Sequence, residues 1–314
     1  MSKVLSRLAL AAGVAGATLV AAAGTPAFAA DAVDETVKQT SRQIADAIAR
    51  RLGTQVQQST IAAATVGGGR GADQASGSVW FTTSYHDIDT VVKGGPDGDL
   101  DVYEAIIGGD LKLDRFVVGG SASLGHAVAD GLSATSGGAI SPQSINVDTY
   151  TISPYVSYLL TDHLYPLAIA GYSFSDISDS RVSADTLFSD LSMNYGNVVE
   201  SWVIRAKTGW RFNHTNLRNT GSSSDDTTNT HFLYVGALAG YMIAEFVPYV
   251  MAQYEYDATH QDPGVNTDRH YLYLTLGVDV QPTQSVSFGV AMQVETINDD
   301  SNNVGAILNA RFRF

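Results

Sequence analysis

The amino-acid sequence predicts an all-β fold: a 12-stranded antiparallel transmembrane β-barrel preceded by a short amphipathic helix. Three observations carry that expectation. From Gly77 onward apolar residues recur at every second position, the period of strands that turn one face to lipid and the other to a lumen. The connections between these runs alternate between very short and long, and aromatic residues collect near both ends of the runs.

The first residues set the compartment. Lys3 and Arg7 precede the apolar run Leu8 to Ala23, and Ala27 and Ala29 flank Phe28. This is the order of a secretory signal peptide with its cleavage site, expected to occupy residues 1–29. The apolar run falls short of the roughly 20 residues that a membrane-crossing helix needs. The 314-residue chain holds no cysteine, which excludes disulfides and thiolate chemistry. Its net charge is −14, and losing Lys3 and Arg7 takes it to −16 (−14 − 2). An exported chain this acidic is not expected to bind nucleic acid.

Residues 30–75 form the expected helical linker or plug segment. Val33, Val37, Ile44, Ile48, Leu52 and Val56 share one side at helical spacing, interrupted by Asp34, Arg51 and Gln55. The stretch "GGGRGADQASG", beginning at Gly67, reads as a joint between this segment and the barrel.

The barrel is expected over 76–314. Its strands are predicted at 77–87, 100–113, 115–128, 147–160, 164–175, 185–195, 198–213, 230–243, 246–257, 270–281, 285–297 and 303–314. In the tenth, Leu272, Leu274, Leu276, Val278 and Val280 oppose Tyr271, Tyr273, Thr275, Asp279 and Gln281. The sixth has the weakest pattern, with Leu187, Leu191, Met193 and Tyr195 against Phe188, Asp190, Ser192 and Asn194. It is needed, because an odd strand count breaks the alternation of short and long connections. "KLDR", "LTDH", "NYGN", "IAEF" and "QPTQ" read as periplasmic turns, and the long polar connections as outer loops.

Two aromatic girdles are expected. Phe116, Tyr165, Tyr195, Trp202, Tyr241, Phe246, Phe312 and Phe314 mark the periplasmic side, and Tyr85, Tyr150, Phe174, Trp210, Phe212, Tyr254 and Tyr256 the outer side. The chain ends on "AILNARFRF", whose apolar face lipid would cover while the first strand pairs with its edge.

This layout resembles the translocator β-domain of autotransporters, the type V secretion family. The helical segment, glycine-rich joint, twelve strands and terminal "ARFRF" carry the resemblance over residues 30–314. It implies a Gram-negative outer-membrane protein whose Phe312 and Phe314 are the signal read by the outer-membrane assembly machinery. Family members carry a passenger ahead of the helix, and only the signal peptide precedes the helix here, so a stand-alone barrel is expected. Some members cut themselves at an Asn in the linker, and residues 30–75 contain none.

The inward charges are expected to be Glu104, Asp110, Lys112, Arg205, Lys207, Arg211, Glu255, Asp279, Glu295, Arg311 and Arg313. Lys38, Arg42 and Arg50 of the plug would meet Glu104, Glu255, Asp279 and Glu295. His86, His126, His214, His231, His260 and His270 map to outer strand ends or loops, but no pair has metal-ligand spacing. The acidic stretches "DIDTVVKGGPDGDLD" and "INDDSNN" lack the full calcium-loop pattern. No G-x-S-x-G stretch occurs. Neither an enzyme nor a cofactor or metal site is expected. The expected partners are outer-membrane lipid and lipopolysaccharide, the assembly machinery, and an unidentified ligand of the outer loops. The expected function is a helix-plugged pore; the alternative is a structural or adhesin-like barrel that transports nothing.

Overall fold

The structure, a computed structural model, describes residues 33, 35–53, 76–90, 99–134, 140–178, 182–219, 226–259, 269–283, 285–296 and 301–314. The signal-peptide and joint expectations at 1–29 and 67–71 lie outside the described residues, as does His260. Twelve strands form one closed sheet: β1 (Ser76–Thr90), β2 (Asp99–Leu113), β3 (Phe116–Ala134), β4 (Ile140–Tyr158), β5 (Leu164–Ile177), β6 (Val182–Val199), β7 (Trp202–Asn219), β8 (Asp226–Tyr241), β9 (Phe246–Asp257), β10 (His270–Thr283), β11 (Val286–Glu295) and β12 (Ser301–Arg313). Each pairs antiparallel with its sequence neighbours, and β1 pairs with β12 from Ser78↔Arg313 to Thr90↔Ser301. Backbone bonds of 3.1 Å run both ways between Gly77 and Phe314, so the final residue completes the seam. Closure leaves no row of unpaired amides facing lipid, where each would cost several kcal/mol.

The outward face is the apolar one. Leu276, Met292, Ile152 and Leu124 are each 60–65% exposed, the state of a side chain whose solvent is hydrocarbon. Their strand neighbours Thr275, Gln293, Thr151 and Ser123 are buried. β6 follows the expected alternation, with Leu187 and Leu191 outward and Phe188 and Asp190 inward.

The structure corrects the expectations at four places. The run "NYGN" lies inside β6, which continues to Val199; the turn is Glu200–Ser201, with Glu200 at φ 57°. β7 therefore starts at Trp202 instead of 198. Several strands run further outward than expected: β3 and β4 stay paired to Ala134↔Ile140. Tyr165 also changes place: it is buried in the lumen instead of joining the periplasmic girdle, whereas His86 lies near the outer end of β1 as expected and faces inward.

Inside the barrel runs one helix, α1, described at 33 and over 35–53. Among the described residues no helix is long and apolar enough to cross a membrane, and the strands make the crossing. Val33 and Val37 pack among inward residues at the outer ends of the strands, including Ile88, Leu100, Val147 and Leu217. Gly53 sits against Arg205 and Tyr165 at the opposite, short-turn end. The helix thus spans the lumen with its N-terminal end at the outer mouth.

Candidate functional site: the plugged lumen

The lumen is two-sided, and the helix matches it. On β1–β6 the inward face carries an apolar seat set among serines and threonines: Trp80, Ile106, Val117, Tyr155, Tyr165, Leu167, Ile169 and Phe188 enclose Ile44, Ile48 and Leu52. Fully burying each of these aliphatic side chains contributes about 1.5–3 kcal/mol. Glycines keep the wall flat where rings lie down on it. A Cβ at Gly171 would come within 2.1 Å of the Phe188 ring, and one at Gly108 within 2.2 Å of Trp80.

On β7–β12 the inward face is charged. Lys207 Nζ lies 2.5 Å from Asp46 Oδ1 of the helix. Arg211 reaches Glu255 at 3.3 Å and Asp190 at 3.5 Å. Tyr234 donates to Asp190 (2.7 Å), and Gln253 to Glu255 (2.6 Å). Arg42 lies 3.8 Å above the Tyr273 ring centroid and hydrogen-bonds Gln39. Arg50 donates to the Tyr249 hydroxyl at 2.9 Å. Each buried charge of the helix is thereby met by a charge or a ring face, as burial requires.

Two further contacts fix the helix from the β1 side. Arg51 donates to Asp110 Oδ1 (2.5 Å) and to Ser78 Oγ (2.6 Å), while Tyr155 donates to Asp110 Oδ2 (3.0 Å). One turn pair above, His86 donates from Nδ1 to Asn303 Oδ1 (2.9 Å) and its Nε2 accepts from Gln43 Nε2 (2.8 Å). That arrangement places the ring proton on Nδ1.

The structure places the eleven charges named from sequence on the inward face. Glu104, Asp110, Arg211, Glu255, Glu295 and Arg311 are buried, and Lys112, Arg205, Lys207, Asp279 and Arg313 half-buried. Arg51–Asp110 and Asp46–Lys207 tie the helix to the barrel, and neither pair was anticipated. Lys38 pairs with Glu35 of its own helix at 3.7 Å. Arg42 and Arg50 meet tyrosine rings, with Glu255 and Glu295 near the first and Asp279 near the second. Phe312 and Phe314 are exposed on the outward side and the periplasmic end, with the Phe312 ring edge-on to Phe288 at 6.4 Å. Among the described residues no cluster of His, Asp and Glu has a metal-holding arrangement.

A sheet closed on itself, apolar outside and filled by a matching helix, is the architecture of a plugged outer-membrane β-barrel. The family model described as autotransporter beta-domain matches residues 79–293, and the chain belongs to that family. Solved structures agree at the level of fold. The translocator domain of the autotransporter NalP from Neisseria meningitidis superposes with a TM-score of 0.59 at 16% identity, covering 88% of this chain and 98% of that one. The β-domain of the Bordetella autotransporter BrkA gives 0.56 at 13%, covering 76% and 100%. The transport unit of AIDA-I from Escherichia coli gives 0.55 at 11%, covering 85% and 98%. No curated protein matches the chain.

Proposed function

We propose that this barrel is a translocator-type pore held shut by α1. The observation that carries the reading is the direction of the helix. It enters at the periplasmic end, where β1 begins, and delivers its N-terminal end to the outer mouth. A chain with that path leads whatever precedes the helix through the lumen, which is the geometry of export. Plugging follows from size. A helix with its side chains is about 10–12 Å across, and twelve strands enclose a lumen roughly half again as wide as eight, whose interior side chains alone just fill. The buried contacts on both walls leave α1 little room to pass solute. The signal peptide and the outer-membrane lipid environment belong to the same reading.

The test is electrical. In a planar bilayer the mature chain should conduct weakly or in brief openings, and a version lacking residues 30–66 should conduct steadily. Equal conductance from both would rule out plugging. Silence from both would favour the structural, non-transporting barrel.

A further inference from the structure

Between α1 and the seam strands lies a cavity of about 90 Å³, in the periplasmic half of the lumen. The helix contributes Gln43, Asp46, Arg50 and Arg51 to it, and β12 contributes Asn309 and Arg311. Arg311 is the unusual member. It is only 6% exposed, yet Nε, Nη1 and Nη2 all lack a hydrogen-bond partner among the described residues. Burying a guanidinium without a counter-charge costs several kcal/mol, and the nearest charges sharpen the problem. Arg51 and Arg313 repel it, and the one carboxylate that attracts it, Asp110, is itself bonded to Arg51.

The carboxylates nearby are already engaged. Asp110 holds Arg51, Ser78 and Tyr155. Asp46 holds Lys207. Asp279 is faced by Arg205 and Arg50. The cavity therefore presents a planar fork of donors to which no acid is hydrogen-bonded among the described residues, beside two further cations. We infer that it binds a small inorganic oxyanion of the sulfate or phosphate kind, seated on the Arg311 guanidinium between β12 and the plug. The fork suits such an ion better than a spherical one, because two parallel N–H groups match two oxygens. Its room is ample: one water needs about 10–15 Å³. An anion there would neutralise the cationic corner beside Arg50 and Arg51 and hold this turn of the helix against the seam.

The inference rests on α1 lying in the lumen, and its test does not use conductance, so the two readings fail separately. The full mature chain, folded in zwitterionic detergent, is titrated with sodium sulfate in a calorimeter, in a buffer without other small oxyanions. One saturable site is expected. Arg311→Gln should weaken it at least tenfold, and Arg311→Lys, which keeps charge but loses the fork, should weaken it less. Arg218→Gln, an exposed arginine on β7 paired with Asp185, should leave it unchanged. Heat-modifiability on a gel verifies that each variant is folded, and the lysine variant serves if the glutamine variant is not. Absence of saturable binding, or equal affinity in wild type and either Arg311 variant, would overturn the assignment. Binding of chloride in preference to sulfate would overturn the oxyanion class.

Discussion

Replacing Arg51 by Met should loosen the plug without harming the barrel. The Arg51 and Asp110 side chains are 3% and 0% exposed and 2.5 Å apart. Removing one partner of such a pair costs about 3–5 kcal/mol, because the other charge stays buried. Here the lower end applies, since Asp110 keeps its bonds from Ser78 (3.1 Å) and Tyr155 (3.0 Å). A loss of about 3 kcal/mol multiplies the undocked population of α1 by about 150. Amide hydrogen exchange reads that opening directly: α1 amides should exchange roughly 100-fold faster, and those of β1 and β12 at the wild-type rate. Adding Asp110→Asn should restore much of the protection, because the neutral amide no longer strands a charge while still accepting from Tyr155. Unchanged α1 exchange in Arg51→Met would refute the reasoning, and so would losses that simply add in the double variant.

Other outcomes follow from the same geometry. Leu276→Arg places a charge on the most exposed lipid-facing leucine of β10 and should lower folding stability by about 2–4 kcal/mol in bilayer refolding titrations; Arg tolerated there would mean that the faces are exchanged. Gly171→Val drives a side chain into the Phe188 ring and should cost about 1–3 kcal/mol in the same titration. Ala244, at φ 54° in the β8–β9 turn, should gain up to about 1 kcal/mol on replacement by Gly, which adopts that backbone without strain. Deleting Phe314 removes the last seam bonds to Gly77 and the proposed assembly signal, and heat-modifiable barrel in the outer membrane should fall sharply.

The strands were legible because lipid imposes a strict rule on the outward face. Leu274, Leu276 and Val290 had to be apolar wherever they met hydrocarbon, so the period of two survives even in weakly patterned β6. The rule lapses at the outer ends, where Val147 and Ala129 point inward against α1 while Asp148 and Asp130 are on the other side. There the apolar face changes sides, and the expected strands stopped too early. "NYGN" has turn-forming residues, but Val198 and Val199 continue the pairing with Val203 and Trp202, and the true turn rests on a glutamate that gives no turn signal. Arg51 looked like a flaw in the apolar side of the helix. Its partner Asp110 lies on β2, a pairing set by how the helix is rotated in the lumen. The inward rings, Trp80, Tyr155, Tyr165 and Phe188, were hidden for a related reason: alternation says which residues face inward, and only the packed helix shows that half of that wall is a hydrophobic seat.

Whether the chain passes through its own lumen is tested most directly by asking which side the start of α1 faces. The protein has no cysteine, so a single Glu35→Cys supplies the only thiol, at a side chain 33% exposed near the outer mouth. Intact cells are treated with a maleimide too large to cross the outer membrane, and the barrel is then isolated. Labelling of Glu35→Cys in intact cells is predicted, with an Arg313→Cys control at the periplasmic end labelled only after the outer membrane is opened. Labelling of Glu35→Cys only after opening would place the start of the helix on the periplasmic side and contradict the threaded, plugged pore.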